Sequence, residues 1–130
     1  MPVTSFDYAI VRVVPCVERE EFINVGVILF CREQRFLDAR MALDKTRLAA
    51  FCPSVDVAGI EKHLQLIPRI CAGDSGGAVG QLSQPERFHW LVNPRSTTIQ
   101  VSPVHTGVCD NPAATLDHLM ETMVLISHNK

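Results

Sequence analysis

The stretch Phe22-Ile-Asn-Val-Gly-Val-Ile-Leu-Phe-Cys31 decides the fold that the sequence predicts. Every odd-numbered position in it is apolar, and two phenylalanines and an isoleucine occupy even-numbered positions, so both faces of the segment are covered. This pattern predicts a central β-strand. Asn24 and Gly26 interrupt the even face, and Gly26 indicates a bulge or a close backbone approach.

The segments around this strand extend the sheet. Residues 6–14 alternate loosely and are rich in β-forming residues, which predicts a strand that ends at Pro15. Residues 35–43 place apolar side chains at alternate positions, with polar ones between them. Short links between these three strands predict an antiparallel meander. Residues 97–104 predict a fourth strand.

The rest of the chain has the period and the capping signals of helices. Prolines, capping residues and apolar stripes predict helices over 44–52, from Ser54 or Asp56 to 71 and over 83–92, and a last helix from 111. Pro68 is expected to kink or end the second helix about a turn early, and Trp90 to pack in the core. The order β-β-β-α-α-α-β-α predicts an α+β fold: a mostly antiparallel sheet of about four strands with the helices packed on one face.

Composition narrows the class of protein. A length of 130 residues suits a single domain over 1–130, and a net charge of -2 gives no strongly basic field to attract nucleic acid. The N-terminus has no signal-peptide pattern, and the longest apolar run, 25–31, is far too short to span a bilayer. Five widely spaced cysteines without a Cys-x-x-Cys pair predict reduced thiols in a cytoplasmic protein.

Two local patterns suggest chemistry but lack the necessary context. Residues 71–79 resemble the segment around the nucleophile of chymotrypsin-like serine proteases, with Ser75 as the nucleophile, yet the preceding residues predict three strands and two helices. A flexible glycine-rich loop is the better interpretation. His105 and Cys109 are four residues apart, but no second ligand pair follows at zinc-site spacing. We therefore expect neither a metal nor a cofactor.

The segment 93–107 offers two candidate sites. Before its strand, Arg95 and Ser96 could hold a carboxylate or a phosphate, although an ordinary ion pair would also explain the arginine. After Pro103, His105 and Thr106 could do proton or hydrogen-bond chemistry, although a hydrogen-bonded turn or a subunit contact would also explain the histidine.

Between these two sites, alternation places four polar side chains on one face of the strand. That face is either solvated or the floor of a groove. The four side chains are those of Ser96, Thr98, Gln100 and Ser102.

Two groups of motifs together resemble a known family. Tyr8-Ala-Ile-Val-Arg-Val-Val-Pro15 and Glu21-Phe-Ile-Asn-Val-Gly-Val-Ile-Leu-Phe30 resemble the start of the bacterial domain of unknown function 3037 family. Phe88-His-Trp-Leu91, Pro94-Arg-Ser-Thr97, Ile99-Gln100 and Ser102-Pro-Val-His-Thr-Gly107 resemble its C-terminal signature. The resemblance covers nearly the whole chain.

This resemblance implies a small bacterial protein of a family with no established activity, whose genes are often neighbours of genes for kinases like the HipA toxin. It therefore implies a protein partner and a regulatory or antitoxin-like role. Carried over residue by residue, the family motif falls on Arg12, Asn24, Gly26, Arg95, Ser96, Gln100, Ser102, His105 and Gly107.

Two functions of different classes remain open. The first is a non-enzymatic protein-interaction module that binds a partner, such as a HipA-like kinase, or a second copy of itself. The second is a small enzyme or an anion- or phosphate-binding domain, in which Arg12 and Arg95 hold the ligand and His105 is a general acid or base. The second requires Arg12 or Arg95 to converge with Asn24 or His105.

Overall fold

The computed structural model describes residues 3–74, 77–94 and 97–125. Its strands are β1 Thr4–Val13, β2 Ile23–Cys31, β3 Phe36–Met41, β4 Ile99–Val101 and β5 His105–Cys109. Its α-helices are α1 Lys45–Phe51, α2 Val57–Cys71, α3 Gln84–Leu91 and α4 Pro112–Met123, and Val17–Arg19 and Ala78–Gln81 are short 3-10 helices. The predicted α+β class with an antiparallel sheet is confirmed.

Within the described residues the sheet has five strands, one more than predicted. Its order is β3-β2-β1-β4, and β5 also pairs with β1. β4 and β5 lie end to end along one edge of β1, because Val13 pairs with Ile99 while Tyr8 pairs with His105. The prediction of one strand over 97–104 is therefore wrong at its end. Proline has no N–H to offer a ladder, so Pro103 falls in the interruption between the two strands.

Helices cover both faces of the sheet, and the prediction of one helical layer is wrong. One core cluster joins β1–β3 to α1, α2 and α3 and includes Val11, Phe30 and Phe88. The other joins β1, β2 and β5 to α4 and includes Ile10 and Leu116. Ile10 and Val11 are consecutive in a strand and must point to opposite faces. A central strand that is apolar on both faces needs helices on both.

A bulge in β2 sets which side chains share a face. Val11 pairs with Gly26 but Arg12 pairs with Asn24, so Val25 is an extra residue in β2. A Cβ on Gly26 would lie 2.6 Å from the backbone oxygen of Arg40 in β3. Glycine is therefore required there by the close approach of the neighbouring strand, and both interpretations of this glycine are confirmed.

The predicted capping residues begin the helices. The side chains of Asp44, Asp56 and Asn111 each accept a hydrogen bond from a backbone N–H in the first turn, and α3 has a complete capping box. α2 does not end early at Pro68 but continues to Cys71. Burial of the last turn against the sheet offsets the hydrogen bond that the proline cannot make.

Candidate functional site

Three of the predicted site residues form a row across the sheet. Asn24 on β2 and Gln100 on β4 are the direct partners of Arg12 on β1. Val11 and Val13, on either side of Arg12, pack into the core that α1, α2 and α3 cover. Alternation therefore directs the side chains of the row to the α4 side, at the end of the sheet where α4 ends.

The Arg12 guanidinium is held by an aromatic ring. Its Cζ lies 4.2 Å from the centroid of the Phe22 ring, a cation–π distance. The Nε atom of Arg12 is buried and has no hydrogen-bond partner in the described part of the chain. A buried N–H without an acceptor costs about 1–3 kcal/mol. The Arg12 Nε–H can therefore donate to an acceptor that the described residues do not supply.

Asn24 supplies the complementary group. Its Nδ2 donates to the backbone oxygen of Met123 at the end of α4, at 3.1 Å. Its Oδ1 is buried and accepts from none of the residues that the structure describes. Two adjoining cavities of about 260 Å³ share Asn24, Arg47 and the residues just after α4. We call this depression the Asn24 pocket; its walls also include Phe22, Ala42, Leu43, Asp44, Thr122, Met123, Val124 and Leu125.

Arg47 and Phe22 are functional candidates that the sequence analysis missed. Arg47 lies on α1 and brings a guanidinium to the Asn24 pocket. Phe22 precedes β2, is 44% exposed and stacks on Arg12. Nothing local in the sequence marks either residue, because their relation to Asn24 depends on how α1 and β1 pack beside β2.

The side chains of Ser102 and Gln100 hydrogen-bond to the backbone. Ser102 is buried, and its Oγ accepts from the Ile10 N–H at 2.8 Å and donates to the Pro103 carbonyl at 2.9 Å. Gln100 Nε2 donates to the Thr97 carbonyl at 2.8 Å. Ser102 thus bridges the interruption between β4 and β5 and is not on a solvated face. Arg95 and Ser96 lie outside the described residues.

His105 and Thr106 are strand residues with opposite orientations. His105 pairs with Tyr8, and their rings lie 5.3 Å apart. Thr106 is opposite Asp7 and donates its hydroxyl to Asp7 Oδ1 at 2.9 Å. Both side chains are exposed. They belong to strand β5 and not to the turn that the sequence suggested.

The structure answers the convergence question in part. Arg12 pairs with Asn24 across the strands, although Arg12 does not line the cavities that Asn24 lines. His105 is on the same face as Arg12 but lies opposite Tyr8, four residues away along β1. Four strand residues span about 13 Å. His105 is therefore too far along the strand to exchange a proton with a small ligand held at Arg12.

A second surface follows the edge of the sheet. An open cavity of about 300 Å³ lies between α2, α3 and β4. We call it the β4 groove; its walls are His63, Leu66, Ile67, Ile70, Trp90, Leu91, Thr97, Thr98, Ile99 and Val101. Leu66 and Trp90 are each 41% exposed. The expectation that Trp90 packs in the core is wrong: Phe88, two positions earlier and facing the sheet, is the buried aromatic of α3.

The beginning of α3 and the turn before β2 carry ordinary electrostatics. The backbone and hydroxyl of Ser83 hydrogen-bond to Glu86 and lower the pKa of that carboxyl. In the turn, the Arg19 guanidinium donates to Glu21 at 2.7 Å and lowers the pKa of Glu21. Arg19 and Glu21 thus form an exposed ion pair. Residues 3–74, 77–94 and 97–125 contain no cluster of three side chains arranged to ligate a metal.

Taken together, the described residues form an α+β fold with a five-stranded antiparallel sheet between two helical layers, a polar pocket at one end of the sheet and an apolar groove along one edge. The chain belongs to the family described as protein of unknown function (DUF3037), whose model matches residues 8–124. No curated protein and no solved structure matches it. Over the described ranges, no helix is both long and apolar enough to cross a membrane.

Proposed function

We propose that the chain is a bacterial, cytoplasmic protein-interaction module that binds an extended segment of a partner protein along β4. The observation that carries this proposal is the β4 groove, where an exposed tryptophan and an exposed leucine adjoin an edge strand. Large aromatic side chains that are partly exposed in a concave surface are the residues that most often dominate protein–protein affinity.

Backbone geometry favours an extended partner. Val14 N donates to the Thr98 carbonyl and Ser102 N donates to the Ile10 carbonyl, so the backbone groups of Thr98 and Ser102 point towards β1. Backbone groups of successive residues in an antiparallel ladder point to alternate sides, so those of Ile99 and Val101 point away from β1. Their backbone groups are therefore aimed where an added strand would lie, while their side chains line the groove.

The opposite edge of the sheet is protected against the same pairing. On β3, Asp38 and Arg40 form an ion pair, and Arg40 also contacts Asp117 of α4 at 3.4 Å. Charged side chains on an edge strand discourage strand addition. The β4 edge has no such pair among its described residues, which favours it as the site of contact.

The charges beside the β4 groove suggest what the partner segment contains. Lys62 and Arg69 lie on the exposed side of α2 next to Leu66. This basic rim complements acidic residues flanking an apolar, extended segment. A HipA-like kinase, which the family resemblance suggested, is the first partner to test, with the chain in an antitoxin-like role.

The test is capture of the tagged protein with its partners from the native host, read by mass spectrometry, followed by titration of the purified partner. Trp90→Ala should raise Kd at least about 10-fold, as expected for an aromatic anchor. Val108→Ala, at an exposed valine on β5, is the control and should leave Kd unchanged. Hydrogen exchange at the Ile99 and Val101 amides should slow on binding. An equal Kd for wild type and Trp90→Ala would refute the β4 groove as the binding site.

A second candidate function rests on the row at Arg12. We infer that the Asn24 pocket binds a small anion that also carries a hydrogen-bond donor. Asn24 Oδ1 needs a donor and Arg47 adds positive charge at the pocket, while Arg12, which pairs with Asn24 across the strands, has a buried Nε that needs an acceptor. Hydrogenphosphate offers an acceptor and a hydroxyl, whereas sulfate offers acceptors only.

Calorimetric titration distinguishes this candidate. Phosphate should bind more tightly than sulfate, and Arg12→Gln should abolish the difference. Arg19→Gln, which removes an exposed arginine of the nearby turn, is the matched control. Equal, weak affinity for both anions in wild type and Arg12→Gln would exclude a specific site.

A further inference from the structure

Two cysteines that are far apart in the sequence meet at the surface. Cys16 Sγ donates to Cys52 Sγ at 3.2 Å. Cys16 precedes the 3-10 helix after β1, and Cys52 follows the last residue of α1. Both side chains are half-buried, whereas Cys31, Cys71 and Cys109 are buried. This pair thus combines contact between two thiols with access from solvent.

We propose that Cys16 and Cys52 form a redox site, which a peroxide converts to an intramolecular disulfide. The inference is independent of the proposed function, since it uses neither the β4 groove nor the Asn24 pocket. It goes beyond the prediction of reduced thiols, because that prediction gave the cysteines no relation to one another.

The surroundings assign a role to each sulfur. Cys52 accepts the hydrogen bond from Cys16 and also lies 3.6 Å from Ser54 Oγ. These contacts, the Cys16 bond first, lower the pKa of Cys52. The same bond, followed by burial, raises the pKa of Cys16. Cys52 is therefore the attacking thiolate and Cys16 the resolving thiol.

The chemistry has two balanced steps. The Cys52 thiolate attacks one oxygen of hydrogen peroxide; an S–O bond forms, the O–O bond breaks, and the hydroxide that leaves takes a proton to become water. Cys16 Sγ then attacks Cys52 Sγ; the S–S bond forms and the S–O bond breaks. The departing hydroxide takes the Cys16 proton, so two thiols and one peroxide give one disulfide and two waters.

The disulfide would join two turns that no strand pairing connects. Cys16 lies between β1 and β2, and Cys52 lies between α1 and α2. Val55 and Asp56, just after Cys52, line a small cavity with His63 and Thr98. Oxidation would therefore fix the junction of α1 and α2 to the end of β1, beside the edge of the sheet.

The test uses the whole reduced protein, treated with equimolar hydrogen peroxide and then with iodoacetamide. The intact mass should fall by two hydrogens before alkylation, and two fewer thiols should be alkylated than in the untreated control. Tryptic digestion should link peptide 13–19, which contains Cys16, to peptide 48–62, which contains Cys52. Dithiothreitol should reverse the link. Recovery of both cysteines as alkylated thiols, or a link between any other pair, overturns the proposal.

Two variants test the order of attack. Cys16→Ser leaves Cys52 without a resolving thiol, so its sulfenic acid should accumulate and be trapped by dimedone. Cys52→Ser should give little trapping at Cys16, because burial still raises the pKa of Cys16 and favours its unreactive thiol form. Stronger trapping at Cys16 than at Cys52 would reverse the assignment and contradict the mechanism. Far-UV circular dichroism of each variant verifies that it is folded.

Discussion

Replacing Ser102 by alanine separates a structural role from a binding role. In the structure Ser102 Oγ accepts from the Ile10 N–H at 2.8 Å, at a point on β1 between the residues that pair with β4 and those that pair with β5. Ile10 is 7% exposed, so water cannot readily replace the serine. Loss of the acceptor should cost about 1–3 kcal/mol of the free energy of unfolding. The second bond, to the Pro103 carbonyl, lies at an exposed residue and adds little.

Urea denaturation followed by circular dichroism measures this change, and the melting temperature should fall by about 3–15 °C for a chain of this size. Thr97→Ala is the matched control. It removes an exposed hydroxyl that donates to the Ile99 carbonyl, so the free energy of unfolding should change by less than about 0.5 kcal/mol. If Ser102→Ala kept full stability but lost binding of a partner, the hydroxyl would be a binding group and the argument from the Ile10 bond would be wrong.

Three further predictions concern stability and thiol access. Gly26→Ala should destabilise the fold by about 1–3 kcal/mol in the same urea assay, because a Cβ there meets the backbone of Arg40; an unchanged midpoint would show that β3 can move away. Native Cys71 should resist maleimide at pH 8, because burial raises the pKa of its thiol to about 12; labelling as fast as that of Cys52 would contradict this burial. The Glu86 pKa is lowered below its ordinary value of 4.5, so its carboxylate stabilises the fold above that pH and loses this effect as the pH falls through the lower folded value. The melting temperature of the wild type should therefore be higher than that of Glu86→Gln at neutral pH, and the difference should vanish in acid. A difference that does not change with pH would exclude the charge as its cause.

The parts of the fold that local chemistry determines could be predicted from the sequence. The apolar segment at β2, the glycine at its bulge and the capping residues of the helices each act within a few residues of themselves. Such features specify elements. They leave open which face of the sheet each helix covers, although the apolar residues on both faces of β2 already required two layers.

The candidate site was only partly predictable, because it depends on pairing between distant strands. Arg12 and Asn24 are twelve residues apart, and they meet only because the bulge at Val25 shifts the register of β2 by one residue. Without the bulge, Arg12 would be opposite Val25. Arg47 reaches the Asn24 pocket through the packing of α1, which no local pattern encodes.

The strand β4 connects the two surfaces, although it has only three residues. Its outer two side chains, Ile99 and Val101, line the β4 groove, whereas Gln100 between them faces the α4 side as the partner of Arg12. A segment added to the free edge of β4 would fix the backbone that carries all three. It would therefore also fix the position of Gln100 beside Arg12, and a ligand bound at Arg12 would act on β4 in return. The alternation of one short strand thus places the two candidate functions on opposite faces of the same edge and gives them a physical route to influence each other.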